Sequence, residues 1–301
     1  MGSKNVQLVL DAKAILGEGP CWNEDQKALY WVDILGEKFC RFYPETGQNE
    51  SFLIGEYVGA VVCAGNDEVV LATQSGFQSY HMGQRTLTPL VDPEAHLPAN
   101  RFNDGKCDGQ GRFWAGTMEI IEKEAAGSLY VLETDYSYRK VYEGVGVSNG
   151  IAWSLDEKEM YYIDSMKKLV LAFDFDAEKG EISRSRTLID FAGEQGFPDG
   201  MTIDEEGMLW IAHWDGWQVS RWDPRSGIKL ESIEVPAAKA TSCIFGGEGL
   251  DTLYITTARK GLETDQAGNQ PHAGGIFAVK PGVKGTKTHA FGASYTTKKK
   301  E

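Results

Sequence analysis

The sequence predicts an all-β fold, a six-bladed β-propeller. Three observations predict it. A strand-rich unit recurs at intervals of 41, 45, 45, 50 and 43 residues, counted from Glu18, Gly59, Asp104, Asn149, Asp199 and Ser242. No segment sustains the 3.6-residue apolar period of an amphipathic helix. The 35 glycines among 301 residues supply the turn positions that many short strands require. About four strands per ~45 residues is the size of one propeller blade, so residues 1–301 read as one closed domain of six blades.

The first unit is the clearest. It opens at Gly17-Glu18-Gly19-Pro20, turns at Asn23-Glu24-Asp25, and continues as the strand Ala28-Leu29-Tyr30-Trp31-Val32-Asp33. A second turn at Leu35-Gly36 leads into Lys38-Phe39-Cys40-Arg41-Phe42-Tyr43, and the unit ends at Pro44-Glu45-Thr46-Gly47. Alternating β-branched and aromatic runs between turn residues are strands. Weaker copies begin near Gly59 and at Asp104-Gly105. The fourth starts at Asn149-Gly150 and includes Met160-Tyr161-Tyr162-Ile163-Asp164. The fifth starts at Asp199-Gly200, with a turn at Asp204-Glu205-Glu206-Gly207 before Met208-Leu209-Trp210-Ile211-Ala212. The sixth starts at Thr241-Ser242. Val6 to Leu10 precedes the first unit and is expected to complete the last blade, removing the exposed sheet edges. A pair of β-sandwiches leaves the regular interval unexplained.

Composition narrows the function. With 30 Lys plus Arg against 44 Asp plus Glu the formal charge is −14, which excludes the basic face that nucleic acid demands and disfavours an anionic membrane surface. No apolar run approaches the ~18 residues of a membrane span, and Met1 to Leu10 carries no secretory pattern. Cys21, Cys40, Cys63, Cys107 and Cys243 are odd in number, widely spaced and without a CxxC. They are expected to be reduced core residues, which points to the cytoplasm. The terminal stretch 298–301 reads as a solvated tail.

Glu18, Asp104, Asn149 and Asp199 each precede the unit's glycine. In a propeller they converge at one mouth of the central channel. Carboxylates crowded there repel one another and raise each other's pKa, a cost that a bound cation removes. The donors are all oxygen, which suits Ca²⁺, Mg²⁺ or Mn²⁺, with Zn²⁺ as an alternative. Asp-Gly and Asn-Gly are also ordinary turn formers, so any one of these dipeptides alone reads as a turn, and only their coincidence at repeat-equivalent positions points to a site. The remaining acidic residues are expected to cover a solvated rim.

These motifs together resemble the senescence marker protein/gluconolactonase/luciferin-regenerating enzyme family. The resemblance is carried by Leu16-Gly17-Glu18-Gly19-Pro20, Asn100-Arg101-Phe102-Asn103-Asp104-Gly105-Lys106 and Ala115-Gly116-Thr117-Met118. It continues through Ser148-Asn149-Gly150, Pro198-Asp199-Gly200-Met201, Phe245-Gly246-Gly247 and Ala273-Gly274-Gly275-Ile276-Phe277, in order, over about residues 15 to 290. It implies one divalent metal, calcium before zinc, magnesium or manganese, on Glu18, Asn149 and Asp199. It also implies a small-molecule sugar lactone, such as gluconolactone, contacted by Arg101 and Asn103. The family places a glutamate soon after Gly-Thr-Met; direct alignment puts Ile121 there, and Glu119 or Glu122 would have to substitute, Glu119 being taken as the substrate contact.

Lactone hydrolysis passes through a tetrahedral oxyanion. A cation with an open position polarises the carbonyl, Asp199 serves as ligand and general base, and Arg101 holds developing charge. Trp114, Trp214 and Trp217 are candidate aromatics for the sugar ring. Two other classes compete: an esterase or phosphotriesterase on the same scaffold, and a calcium-binding regulatory protein. The chain is expected to be a monomer or small homo-oligomer. Gly146-Val147-Ser148-Asn149-Gly150 matches a nucleophile elbow in letters only, because no helix follows it.

Overall fold

The computed structural model describes residues 4–65, 67–262 and 268–292; the tail expected at 298–301 lies outside them. Among the described residues, twenty-four strands form six four-stranded antiparallel sheets. Five sheets are consecutive meanders. The sixth is closed by the N-terminal strand β1 (Gln7–Leu10), which pairs with β24 (Ile276–Val279). The ring is thus shut as the sequence predicts, and β24 has no open edge.

Each blade begins with an inner strand: β2 (Gly17–Asn23), β6 (Val58–Cys63), β10 (Asn100–Cys107), β14 (Ser148–Trp153), β18 (Phe197–Ile203) and β22 (Ala240–Gly246). These six contact one another in a closed circuit and are largely buried. The outermost strands are mostly exposed and charged, as in β17 (Glu181–Asp190) and β21 (Ile228–Glu234), which discourages pairing with other chains.

The glycines after the candidate ligands do not sit in turns. Every inner strand carries a register shift at that point, between Glu18 and Cys21, Phe102 and Gly105, Ser148 and Ile151, and Pro198 and Met201, with matching shifts in β6 and β22. A bulge of this kind turns a side chain out of the pleat. Close packing favours glycine there: a Cβ on Gly150 would lie 2.5 Å from Met201 Cβ and 2.8 Å from its backbone nitrogen, so blades four and five would have to shift apart.

The acidic residues do not all cover the rim. Asp108 accepts from the Gln110 and Arg112 amides and from Trp114 Nε1 at 2.9 Å. Asp204 repeats the arrangement with Glu206, Met208 and Trp210 Nε1, also at 2.9 Å. Asp33 and Asp164 tie down the loops entering β2 and β14. All four are buried. Trp114, a candidate sugar contact, is therefore core. All five cysteines are free and buried. Among the described residues no helix is long and apolar enough to cross a membrane.

Candidate active site

The bulges deliver side chains from four blades to one mouth of the channel. Glu18 comes from β2, Arg101, Asn103 and Asp104 from β10, Asn149 from β14, and Asp199 from β18. All six are buried. Glu18, Arg101, Asn103, Asn149 and Asp199 line a single cavity of about 260 Å³. A second cavity, of about 470 Å³, opens near the far ends of the inner strands and holds none of these residues.

A chain of hydrogen bonds fixes the polar floor. Arg101 Nη1 donates to Asn103 Oδ1 at 2.7 Å and to the Phe102 carbonyl at 2.9 Å. Asn103 Nδ2 donates to the Ser148 carbonyl at 2.6 Å and to Asn149 Oδ1 at 3.0 Å. Asn149 Nδ2 donates to Ser165 Oγ at 2.8 Å, and Ser165 Oγ donates to the Pro198 carbonyl at 2.5 Å. Blades three, four and five are locked together through the site. Buried polar groups satisfied in this way are held in one geometry.

Charge at the floor is costly. Burial, then the charge of Asp104, pushes the Glu18 carboxyl up to about 8. Burial, then the charges of Glu18 and Asp104, holds Asp199 well above the usual carboxylate range. Burial lowers the Arg101 guanidinium to about 10. Burial also raises Asp104, with Lys106 opposing that shift.

The donor set fits a hard divalent cation. Two neighbouring buried carboxylates gain most from a double positive charge, and Asn149, whose carboxamide oxygen accepts from Asn103 Nδ2 at 3.0 Å, lines the same cavity. Among the described residues no three His, Cys, Asp or Glu side chains gather closely enough to hold a metal. A cation on Glu18 and Asp199 would thus take its third protein oxygen from Asn149, leaving positions for small ligands.

The structure separates the two glutamates that the sequence left as alternatives. Glu119, at the end of β11 (Phe113–Glu119), turns its carboxylate into its own loop, accepting from the Lys123 and Glu124 amides at 2.9 Å each. It does not line the cavity, whereas Glu122 does. Glu122 adopts a positive φ of 57° and pairs with Lys260 at 3.2 Å. Trp214 lines the cavity, with Lys239 and Lys260 within 5.1 and 5.9 Å of its ring centre. Trp217 is partly exposed and is not among the lining residues. Ser148 is fully buried and accepts from Tyr162 at 2.6 Å, which removes it as a nucleophile. Ser165, Lys260, Met166 and Phe197 also line the cavity. Sequence reasoning missed them because the first three come from loops that follow second strands, not from the repeating inner strand.

The description SMP-30/Gluconolactonase/LRE-like region matches residues 16–259. A Bacillus subtilis protein assigned as the sugar lactone lactonase YvrE is 40% identical over 273 residues, covering 91% of this chain and 94% of its own. Regucalcin of Xenopus laevis is 39% identical over 298 residues, covering 97% and 99%. A crystal structure of regucalcin from Agrobacterium tumefaciens, described as a calcium-binding protein, superposes with a TM-score of 0.92 at 25% identity, covering 97% and 99%.

Proposed function

We propose that this chain, which belongs to the SMP-30/gluconolactonase/LRE-like family, is a metal-dependent lactonase that opens a sugar lactone to its aldonic acid. The observation that carries this reading is the convergence of Glu18, Asp199, Asn149, Asn103 and Arg101 in one small cavity. Glu18, Asn149 and Asp199 would hold a divalent cation, calcium before zinc, magnesium or manganese; when bound it supplies a Lewis acid for the lactone carbonyl.

The side chains perform the rest. Asp199, on the same cavity floor as the Arg101 guanidinium, takes a proton from the attacking water as its oxygen adds to the acyl carbon. Arg101 stays cationic and is held by Asn103, so its remaining N–H groups stabilise the oxyanion without reorganising. The ring C–O bond then breaks, and Asp199 returns the proton to the departing oxygen. Glu122 accepts from a substrate hydroxyl in this reading, which its position in the cavity lining supports over Glu119. Five free buried cysteines support a reducing, cytoplasmic compartment.

The test is a pH-indicator assay of gluconolactone, galactonolactone, arabinolactone and xylonolactone with each metal added back to stripped protein. Hydrolysis of at least one supports the reading. Aryl esters or phosphotriesters turned over in preference would move it to the esterase class. A calcium-binding role has one support, the description of the Agrobacterium tumefaciens regucalcin. A calcium buffer has no use for Arg101 and Asn103 in the cavity, and calcium binding without lactone turnover would favour it.

A further inference from the structure

The walls above the polar floor are apolar. Leu16, Met118, Val147, Met166, Phe197 and Trp214 make up most of the remaining lining. Met166 and Phe197 are 37% and 41% exposed, so they stand at the mouth, while Leu16 and Met118 lie deep. The Phe197 ring is braced by the Lys168 ammonium 4.2 Å from its centre. Among the described residues the one hydroxyl on that side, Ser165, already accepts from Asn149 and donates to Pro198. At the mouth the polar groups are Glu122 and Lys260, which are paired with each other.

A polyol that extended past Glu122 along the Val147, Met166 and Phe197 side would lose water from the hydroxyls there, where no described side chain offers them a partner, which is unfavourable. A hydrocarbon arm would gain there. We infer that the same site hydrolyses a further class of substrate: γ- and δ-lactones that bear a short alkyl arm on the ring carbon next to the ring oxygen. The inference rests on the lactonase reading. Water's oxygen bonds to the acyl carbon, and the acyl carbon–ring oxygen bond breaks. The departing oxygen takes one proton and the carboxylic acid releases the other, so the product is a hydroxy acid and no redox partner is needed. The ester sits on the floor beside Arg101 and Asp199, and the arm runs outward between Val147, Met166 and Phe197.

The experiment measures kcat/KM for γ-butyrolactone, γ-valerolactone, γ-hexalactone and γ-octalactone beside gluconolactone and xylonolactone, on one metal-loaded preparation. Each added methylene is expected to raise kcat/KM about fourfold over the first carbons, levelling once the arm clears the mouth. Phe197→Ser and Met166→Ser should flatten that slope, with folding checked by circular dichroism and melting. If sugar lactones react and the alkyl series shows no rise, the inference falls and the sugar-lactonase reading stands. A slope unchanged in both variants also overturns it, because the arm then lies elsewhere. If neither class is hydrolysed with any of the four metals, the lactonase reading fails and takes the inference with it.

Discussion

Replacing Asn103 with alanine removes the central link of the polar floor. Its carboxamide accepts from Arg101 Nη1 at 2.7 Å and donates to the Ser148 carbonyl at 2.6 Å and to Asn149 Oδ1 at 3.0 Å. The two bonds between neutral groups contribute about 1 kcal/mol each, and the one from a charged guanidinium about 1.5–3 kcal/mol. Water entering the gap recovers part of this, leaving a loss of about 3 kcal/mol. At roughly 2 °C per kcal/mol for a chain of this size, Tm should fall by about 6 °C. Arg101 would no longer be aimed, and losing one fixed oxyanion donor costs about 10²–10³ in kcat. Asn103→Asp keeps the Arg101 contact but turns an oxygen toward Ser148 O and Asn149 Oδ1, so its Tm should lie between those of the wild type and the alanine variant. The assay is a thermal melt with lactone kinetics on the same samples. A Tm within about 2 °C of wild type, together with kcat/KM within about threefold, would refute the claim that this chain of bonds positions Arg101 and Asn149.

Other predictions probe the scaffold. Gly150→Ala should destabilise by about 1–3 kcal/mol through overpacking against Met201, read by denaturant titration; a neutral result would show that blades four and five can separate freely. Asp204→Ala strands the Trp210 indole N–H and the Glu206 and Met208 amides and leaves Arg221 with Glu206 alone; it should cost about 3–5 kcal/mol, more than Asp190→Ala in β17. Burial holds His213 below its ordinary value, so the unfolded chain takes up the proton first as pH falls. The stabilisation from neutral His213 is therefore complete above about 6.5 and is lost as pH drops below it. His213→Gln should show a smaller loss of Tm between pH 7.5 and 5 than wild type, and equal slopes would exclude His213 as a contributor.

The propeller was legible because the same unit recurs at a near-constant interval and because no segment carries a helical apolar period. The convergence of Glu18, Asn149 and Asp199 was legible for the same reason: repeat-equivalent positions become neighbours in a ring. The backbone at those positions was not. Asp-Gly and Asn-Gly also serve as turns, and only the approach of the next blade to Gly150 shows why the glycine belongs to a bulged strand. Glu119 and Glu122 could not be told apart in sequence, because the choice depends on a loop in which Glu122 takes a positive φ and Glu119 caps its own amides. The buried carboxylates Asp108 and Asp204 resemble surface turn residues until their bonds to Trp114 and Trp210, six residues on, are seen. Phe197 lies just outside the glycine-centred motif, which is why the apolar wall escaped notice.

The central claim is that Glu18, Asn149 and Asp199 hold a cation on which lactone hydrolysis depends. Its most direct test is calorimetric titration of stripped protein with calcium and zinc, with lactone turnover read at each point. One metal per chain should bind, and activity should rise in step with occupancy, while Glu18→Gln combined with Asp199→Ala abolishes both. Full turnover in the stripped protein, or in that double variant, would contradict the account.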